Sequence, residues 1–139
     1  MTRRALLFAA VTAALRADSA DEVWDVIGSV ASSLSEGDVA ACLSAFDSAM
    51  PGYERLRAAV TGLLRDNDVE TSIDLVSNEG DGRARTVESD WQMRLTPRGG
   101  VTAPIQRRER VAAKLEKQGK KWRITAFEPA GVLDPPGAR

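Results

Sequence analysis

The chain has 139 residues, enough for one domain with a single core, and its 43% hydrophobic and 28% charged residues are those of an ordinary globular protein. A formal net charge of −1 and a sequence pI of about 5.5 give no electrostatic reason for a polyanionic partner, so no nucleic acid is expected. The absence of histidine removes the commonest general base and metal ligand, and a single cysteine excludes an internal disulfide and any multi-cysteine metal site; no metal and no cofactor are expected.

Thr2 to Leu15 has the features of an export signal. Arg3-Arg4 supply a positive start, Ala5 to Leu15 form a short apolar run, and small residues near Ala17 offer a cleavage point. The run is shorter than the ~20 residues a permanent membrane helix needs, so no membrane span is expected. The sequence therefore divides into an export signal over 1–17, a domain over 18–133 and an irregular tail over 134–139. Export to the periplasm or beyond is the expected localisation. The alternative is a cytoplasmic protein in which the run is the first helix of the domain. Cleavage after Ala17 would remove Arg3, Arg4 and Arg16, leaving 16 basic and 20 acidic residues, a net charge of −4.

Ser19-Ala20-Asp21-Glu22 reads as a capping box that starts a helix with Val23, Ile27, Val30 and Leu34 on one face, widened by Trp24 and Ala31. Gly37 ends it and Asp38 caps a second helix carrying Val39, Cys42, Leu43 and Phe46. Met50-Pro51-Gly52 breaks the chain, and Pro51 suits the first turn of a third helix with Tyr53, Leu56, Val60, Leu63 and Leu64.

Val69 to Glu128 reads as a four-stranded antiparallel meander. Val87, Ser89, Trp91, Met93 and Leu95 alternate with Thr86, Glu88, Asp90, Gln92 and Arg94, giving one dry and one wet face. Ile105, Val111, Ala113 and Leu115 share a face of the third strand, opposite Arg108, Arg110 and Lys114; Trp122, Ile124 and Ala126 share a face of the fourth. Aligning the dry faces fixes the loops, because a one-residue slip turns a strand over. A two-residue type II′ turn starting at Gly119 pairs Leu115 with Ile124 and Ala113 with Ala126. A three-residue loop Gly80-Asp81-Gly82 sets Leu75 opposite Val87 and Ile73 opposite Ser89. Trp91 then faces Glu109, Met93 faces Arg107, and Asp90 meets Arg110 on the wet face. Helices followed by strands make a segregated α+β domain.

Leu34-Ser35-Glu36-Gly37-Asp38 between two helices, the Phe46-Asp47 end, Asp90-Trp91 in a long strand, Glu116 to Ile124 in the last hairpin, and Phe127-Glu128-Pro129 occur in this order over residues 20–133. This pattern resembles the nuclear transport factor 2-like superfamily, which includes SnoaL-like and ketosteroid-isomerase-like proteins. The resemblance implies a cone-shaped α+β barrel: N-terminal helices packed on a curved antiparallel four-stranded meander, with a cavity at the wide end. It also implies a homodimer through the outer sheet face. None of the matching residues is a catalytic signature, so the resemblance speaks to fold rather than activity.

Cys42, on an apolar helix face, reads as a core thiol. Arg107 and Glu109 stand out because register puts them on the helix-facing side beside Trp91, Met93, Val111 and Leu115. Either they reach solvent past the third helix with their stems covering the core, or they line a cavity. In the second case the pocket is Tyr53, Ser89, Trp91, Met93, Arg107 and Glu109. Three functions fit. The first is a non-catalytic exported domain binding a small apolar or amphipathic molecule, or a protein partner, in its cavity. The second is an isomerase- or cyclase-like enzyme with Glu109 as general base and Tyr53 or Arg107 stabilising an oxyanion. The third is a structural dimerisation module whose core is filled by its own side chains.

Overall fold

A computed structural model describes the backbone of residues 2–100 and 102–137 and the side chains of residues 18–100 and 102–137. The predicted export segment, 1–17, lies outside the residues whose side chains are described. In chain order the elements are α1 (Thr2–Glu36), α2 (Val39–Ser44), α3 (Tyr53–Asp66), β1 (Asn67–Gly80), β2 (Ala84–Pro97), β3 (Ile105–Gln118), β4 (Lys121–Glu128) and a 3-10 turn, Ala130–Leu133. The strands form one antiparallel sheet in the order β1-β2-β3-β4. The helices cover its inner face, which is the expected α+β cone.

The helical periodicity translates directly into burial. Val23, Ile27, Val30 and Leu34 of α1 are at most 1% exposed. The capping box does not start this helix, however: α1 begins at Thr2 and runs through Ser19. Alanines and leucines upstream favour continued helix. Glu22, instead of folding back on the backbone, accepts a 2.7 Å hydrogen bond from Trp122 Nε1. At the other end α1 closes in a Schellman motif, with Asp38 N–H donating to Ser33 O at 2.9 Å and Gly37 N–H to Leu34 O at 3.2 Å. Asp38 then caps α2 by accepting from Ala41 N–H at 3.0 Å. Pro51 sits in the turn before α3 rather than within its first turn, because Gly52 is the N-cap.

The inner face of β2 is as alternation requires: Val87, Ser89, Trp91, Met93 and Leu95 are all 2% exposed or less. The β2–β3 register places Trp91 opposite Glu109, Met93 opposite Arg107 and Asp90 opposite Arg110, as expected. Asp90 and Arg110 form a two-pronged ion pair on the outer face, at 2.8 and 3.2 Å. This hydrogen bond from Arg110 holds the Asp90 carboxyl below the usual carboxylate range. Gly119 has φ 65° and no non-glycine residue has positive φ among the described residues, so the β3–β4 turn is type II′.

Two registers differ from expectation, and each contains one unpaired residue. In β1 a bulge at Val76 sets Leu75 opposite Ser89, Ile73 opposite Trp91 and Asn78 opposite Val87. Leu75 and Val76 are 48% and 42% exposed. The loop is Asp81–Arg83, where Asp81 Oδ1 accepts from the N–H of Arg83 at 2.8 Å and of Ala84 at 3.0 Å. In β4 Leu115 does pair with Ile124, but Thr125 is then skipped, so Ala113 faces Phe127 and not Ala126. Phe127 thereby enters the core between Phe46 and Trp91, with ring centroids 5.5 and 5.6 Å away in edge-to-face geometry. Ile105, expected on the dry face, is 37% exposed at the start of β3.

The two sheet edges differ. Along β4, Ala45–Asp47 adds a short parallel bridge, with Asp47 N–H donating to Ile124 O and Ile124 N–H to Ala45 O, both at 2.8 Å. Along β1, the Ser35 hydroxyl of α1 accepts the Thr71 N–H at 3.2 Å. Among the described residues no helix is long and apolar enough to cross a membrane.

Gly80, at φ 141°, makes the β1–β2 loop possible: a Cβ there would lie 2.3 Å from Ala84 O and 2.7 Å from Arg85 Cα. Gly80→Ala is expected to destabilise the fold by about 1–3 kcal/mol. Urea unfolding checks this, as a lower midpoint at unchanged slope; an unchanged midpoint would mean the loop relaxes without cost.

Candidate functional site

The six residues singled out from sequence separate into three groups. Ser89, Trp91 and Met93 follow one another along the inner face of β2 and are buried. Trp91 Nε1 donates to Ser89 Oγ at 2.9 Å, which explains a buried serine on a dry face. Tyr53, the first residue of α3, is partly buried against the core. Arg107 is 7% exposed, and its Nη1 donates to Val132 O at 2.6 Å and Asp134 O at 2.7 Å. Glu109, half-buried, lies two residues further along the same strand.

Arg107 therefore grips the end of the chain. The turn Ala130–Leu133 packs on α3, with Val132 and Leu133 fully buried among the core residues. Asp134 is buried too, and its carboxylate lies 3.7 Å from the exposed guanidinium of Arg55. Through Arg107 the segment is tied to the end of the sheet where β3 begins.

Beside it opens a cleft of about 300 Å³, lined by Met50, Pro51, Leu56, Ala126, Phe127 and Ala130, with Arg55, Thr125, Glu128 and Asp134 contributing polar groups. Its volume is at the lower end of those that hold small molecules. None of the six sequence-selected residues lines it. Trp91 and Glu109 instead border a depression of about 340 Å³ between β2 and β3 with Asp90, Gln92, Arg108 and Arg110. A larger groove, about 480 Å³, separates α1 from the β3–β4 turn, with Glu22 and Asp25 on one wall and Lys120, Lys121 and Arg123 on the other. There Glu22 is engaged by Trp122 Nε1, and Arg123 Nη1 donates to the Ser44 carbonyl.

The cleft residues escape sequence reading because each has another explanation. Met50-Pro51 reads as a helix break, Leu56 as part of a core stripe, and Ala130 as an ordinary residue near the end of the domain. The Glu128-Pro129 junction, where the chain leaves the sheet, is a local signal that could have drawn attention to this end.

Among the described residues no group of three or more His, Cys, Asp or Glu side chains converges in a metal-binding arrangement. Cys42 is fully buried. Burial first, and then the charge of Asp38, push its thiol up to about 12, which leaves it protonated and unreactive at neutral pH.

No family model and no curated protein matches the chain. Solved structures do. A conserved protein from Planctomyces limnophilus superposes with a TM-score of 0.70 at 14% identity, over 76% of this chain and 90% of that one. A proposed scytalone dehydratase from Novosphingobium aromaticivorans gives 0.69 at 7% identity, over 77% and 79%. A nuclear transport factor 2-like superfamily protein from Salmonella enterica gives 0.62 at 14% identity, over 88% and 95%. At these identities the likeness is one of fold, and the fold is the nuclear transport factor 2-like cone that the sequence resembles.

Cys42 should resist alkylation by iodoacetamide at pH 8 in the folded protein and react at least ~100-fold faster once unfolded, where its pKa returns to about 8.5. Because the folded value is the higher, the contribution of Cys42 to stability is complete below pH ~8.5 and declines as pH rises toward 12. Equal alkylation rates in the two states would contradict the burial.

Proposed function

We propose that this protein is an exported, non-catalytic binding domain that takes a small apolar or amphipathic molecule at the wide end of its cone. The observation that carries the reading is the cleft between the start of α3, β4 and the C-terminal turn. Its walls are apolar, from Met50, Leu56, Ala126 and Phe127, and its few polar groups stand together around Arg55 and Asp134. That combination, apolar walls with convergent polar groups, is what small-molecule sites share. Glu109, the acid put forward as a base, does not line it, which favours binding over catalysis. The fold's use in a proposed scytalone dehydratase supports a small molecule as the ligand class. The test is a titration with Nile red, a neutral apolar dye. Ala126→Phe, which fills the cleft, should weaken binding at least ~10-fold with unchanged circular dichroism; equal binding by the variant would refute the site.

Two further features belong to the same reading. Export is supported by Arg3-Arg4 and the short apolar run that follows them. A homodimer through the outer sheet face is supported by its charge pattern. Glu70, Asp74, Glu88 and Asp90 lie on β1 and β2, and Arg108, Arg110 and Lys114 lie on β3, so a two-fold stack would set acids against bases. Native mass spectrometry of protein taken from its own host tests both. The expected species is twice the mass of a chain starting near Asp18; an intact Met1 would refute export, and a monomer at micromolar concentration would refute the dimer.

A further inference from the structure

The C-terminal turn that walls the cleft is attached differently from every other part of the core. The last ladder pair is Ala112 with Glu128, and from Pro129 onward the chain takes no part in the sheet. Pro129, Pro135 and Pro136 have no N–H to give to one. The hydrogen bonds within the turn, Val132 N–H to Pro129 O at 3.2 Å and Asp134 N–H to Gly131 O at 3.1 Å, are local and would survive if the turn moved as a unit. Two arginines make polar contacts between the turn and the body. Arg107, from the inner face of β3, donates one nitrogen to two carbonyls, Val132 O and Asp134 O. Arg55, from α3, faces the Asp134 carboxylate across 3.7 Å and is 77% exposed.

Beneath this attachment sit Val132 and Leu133, both 0% exposed. They are the only large apolar side chains the turn itself brings into the core. Ala130 and Asp134, at the two ends of the turn, also line the cleft. The turn is thus a wall of the cleft and, through Val132 and Leu133, the filling of the space next to it.

We propose that Ala130–Asp134 is a stopper latched by Arg107: when the turn swings out, the cleft and the volume of Val132 and Leu133 merge into one larger apolar chamber. The inference rests on the cleft being a binding site, and concerns what controls it. A charged side chain buried under a chain end suits a latch better than an aliphatic one would. Its hydrogen bonds are directional and are lost together when the two carbonyls leave.

The experiment measures seating and binding separately, by hydrogen exchange of the C-terminal peptide and by Nile red titration, on the full chain. Arg107→Met keeps the apolar stem and removes the donors. Exchange of residues 129–137 should rise at least tenfold while the β2 and β3 peptides stay as in the parent, and Nile red affinity should rise at least threefold. Unchanged exchange in the C-terminal peptide would overturn the latch. So would a rise spread evenly over all peptides, since Arg107 would then be a general structural residue. Faster exchange of the turn with unchanged or weaker dye binding would overturn the stopper. Failure of the parent protein and of Arg107→Met alike to bind the dye, with the turn loosened, would count against the binding site and leave the latch standing. If Arg107→Met does not fold, Arg55→Gln, which touches only the exposed contact, should raise exchange of the turn at least twofold; no rise would overturn the proposal.

Discussion

Thr125 is skipped in the ladder with β3, and that single extra residue decides which way Phe127 faces. With a regular ladder the inner position would fall to Ala126 and the phenyl ring would point to solvent. Forgoing one ladder hydrogen bond costs about 0.5–1.5 kcal/mol net. Burying a phenylalanine side chain contributes about 1.5–3 kcal/mol, and edge-to-face contact with two rings adds to that. The bulge is therefore the favourable arrangement. Phe127 then joins Phe46, at the end of the second helical segment, to Trp91 in the middle of the sheet. Helix layer, sheet and chain end meet at this ring, and the direction in which the chain leaves β4 toward Ala130–Leu133 follows from it.

How legible each part was depends on how strictly its residues alternate. β2 has four large or medium apolar side chains and one serine facing inward and polar ones facing outward, so its face and its register against β3 follow directly from the residues. β1 places Leu75 and Val76 side by side, and adjacent apolar residues cannot both face inward on a regular strand; the bulge there could be located only by the structure. Thr125-Ala126-Phe127 offers a weak contest between a small residue and a large one one position later, and alternation counted from Ile124 chooses the wrong one. Ser19 shows the limit of local capping chemistry, since a strong helix former upstream overrides it. The cleft was the least legible feature. Its lining comes from the α2–α3 turn, β4 and the chain end, and each residue already has a local structural reason to be where it is.

Two arginines are buried at opposite ends of the β2–β3 pair, and both donate to amide carbonyl oxygens. Arg85 donates to Asn78 Oδ1 at 2.8 Å and Asn78 O at 3.0 Å, and Asn78 in turn donates to Ala20 O of α1 at 2.8 Å. Arg107 donates to Val132 O and Asp134 O. A buried guanidinium without acceptors would be costly, and carbonyl oxygens at fixed positions meet its fork without needing a buried carboxylate. One arginine ties the first hairpin to the first helix, and the other ties the chain end to the sheet. The cone is pinned at both ends by cations while its middle is held by aromatic and aliphatic contact.

The bulge at Val76 has a consequence for how copies of the chain meet. β1 is a sheet edge, and its most exposed apolar residues, Leu75 and Val76, lie where its backbone would otherwise offer an unbroken row of donors and acceptors. The extra residue throws that row out of step at the same point. A strand from another molecule can match the spacing on one side of Val76 but not continue past it, so the stickiest stretch of the edge is also the poorest template for fibril growth.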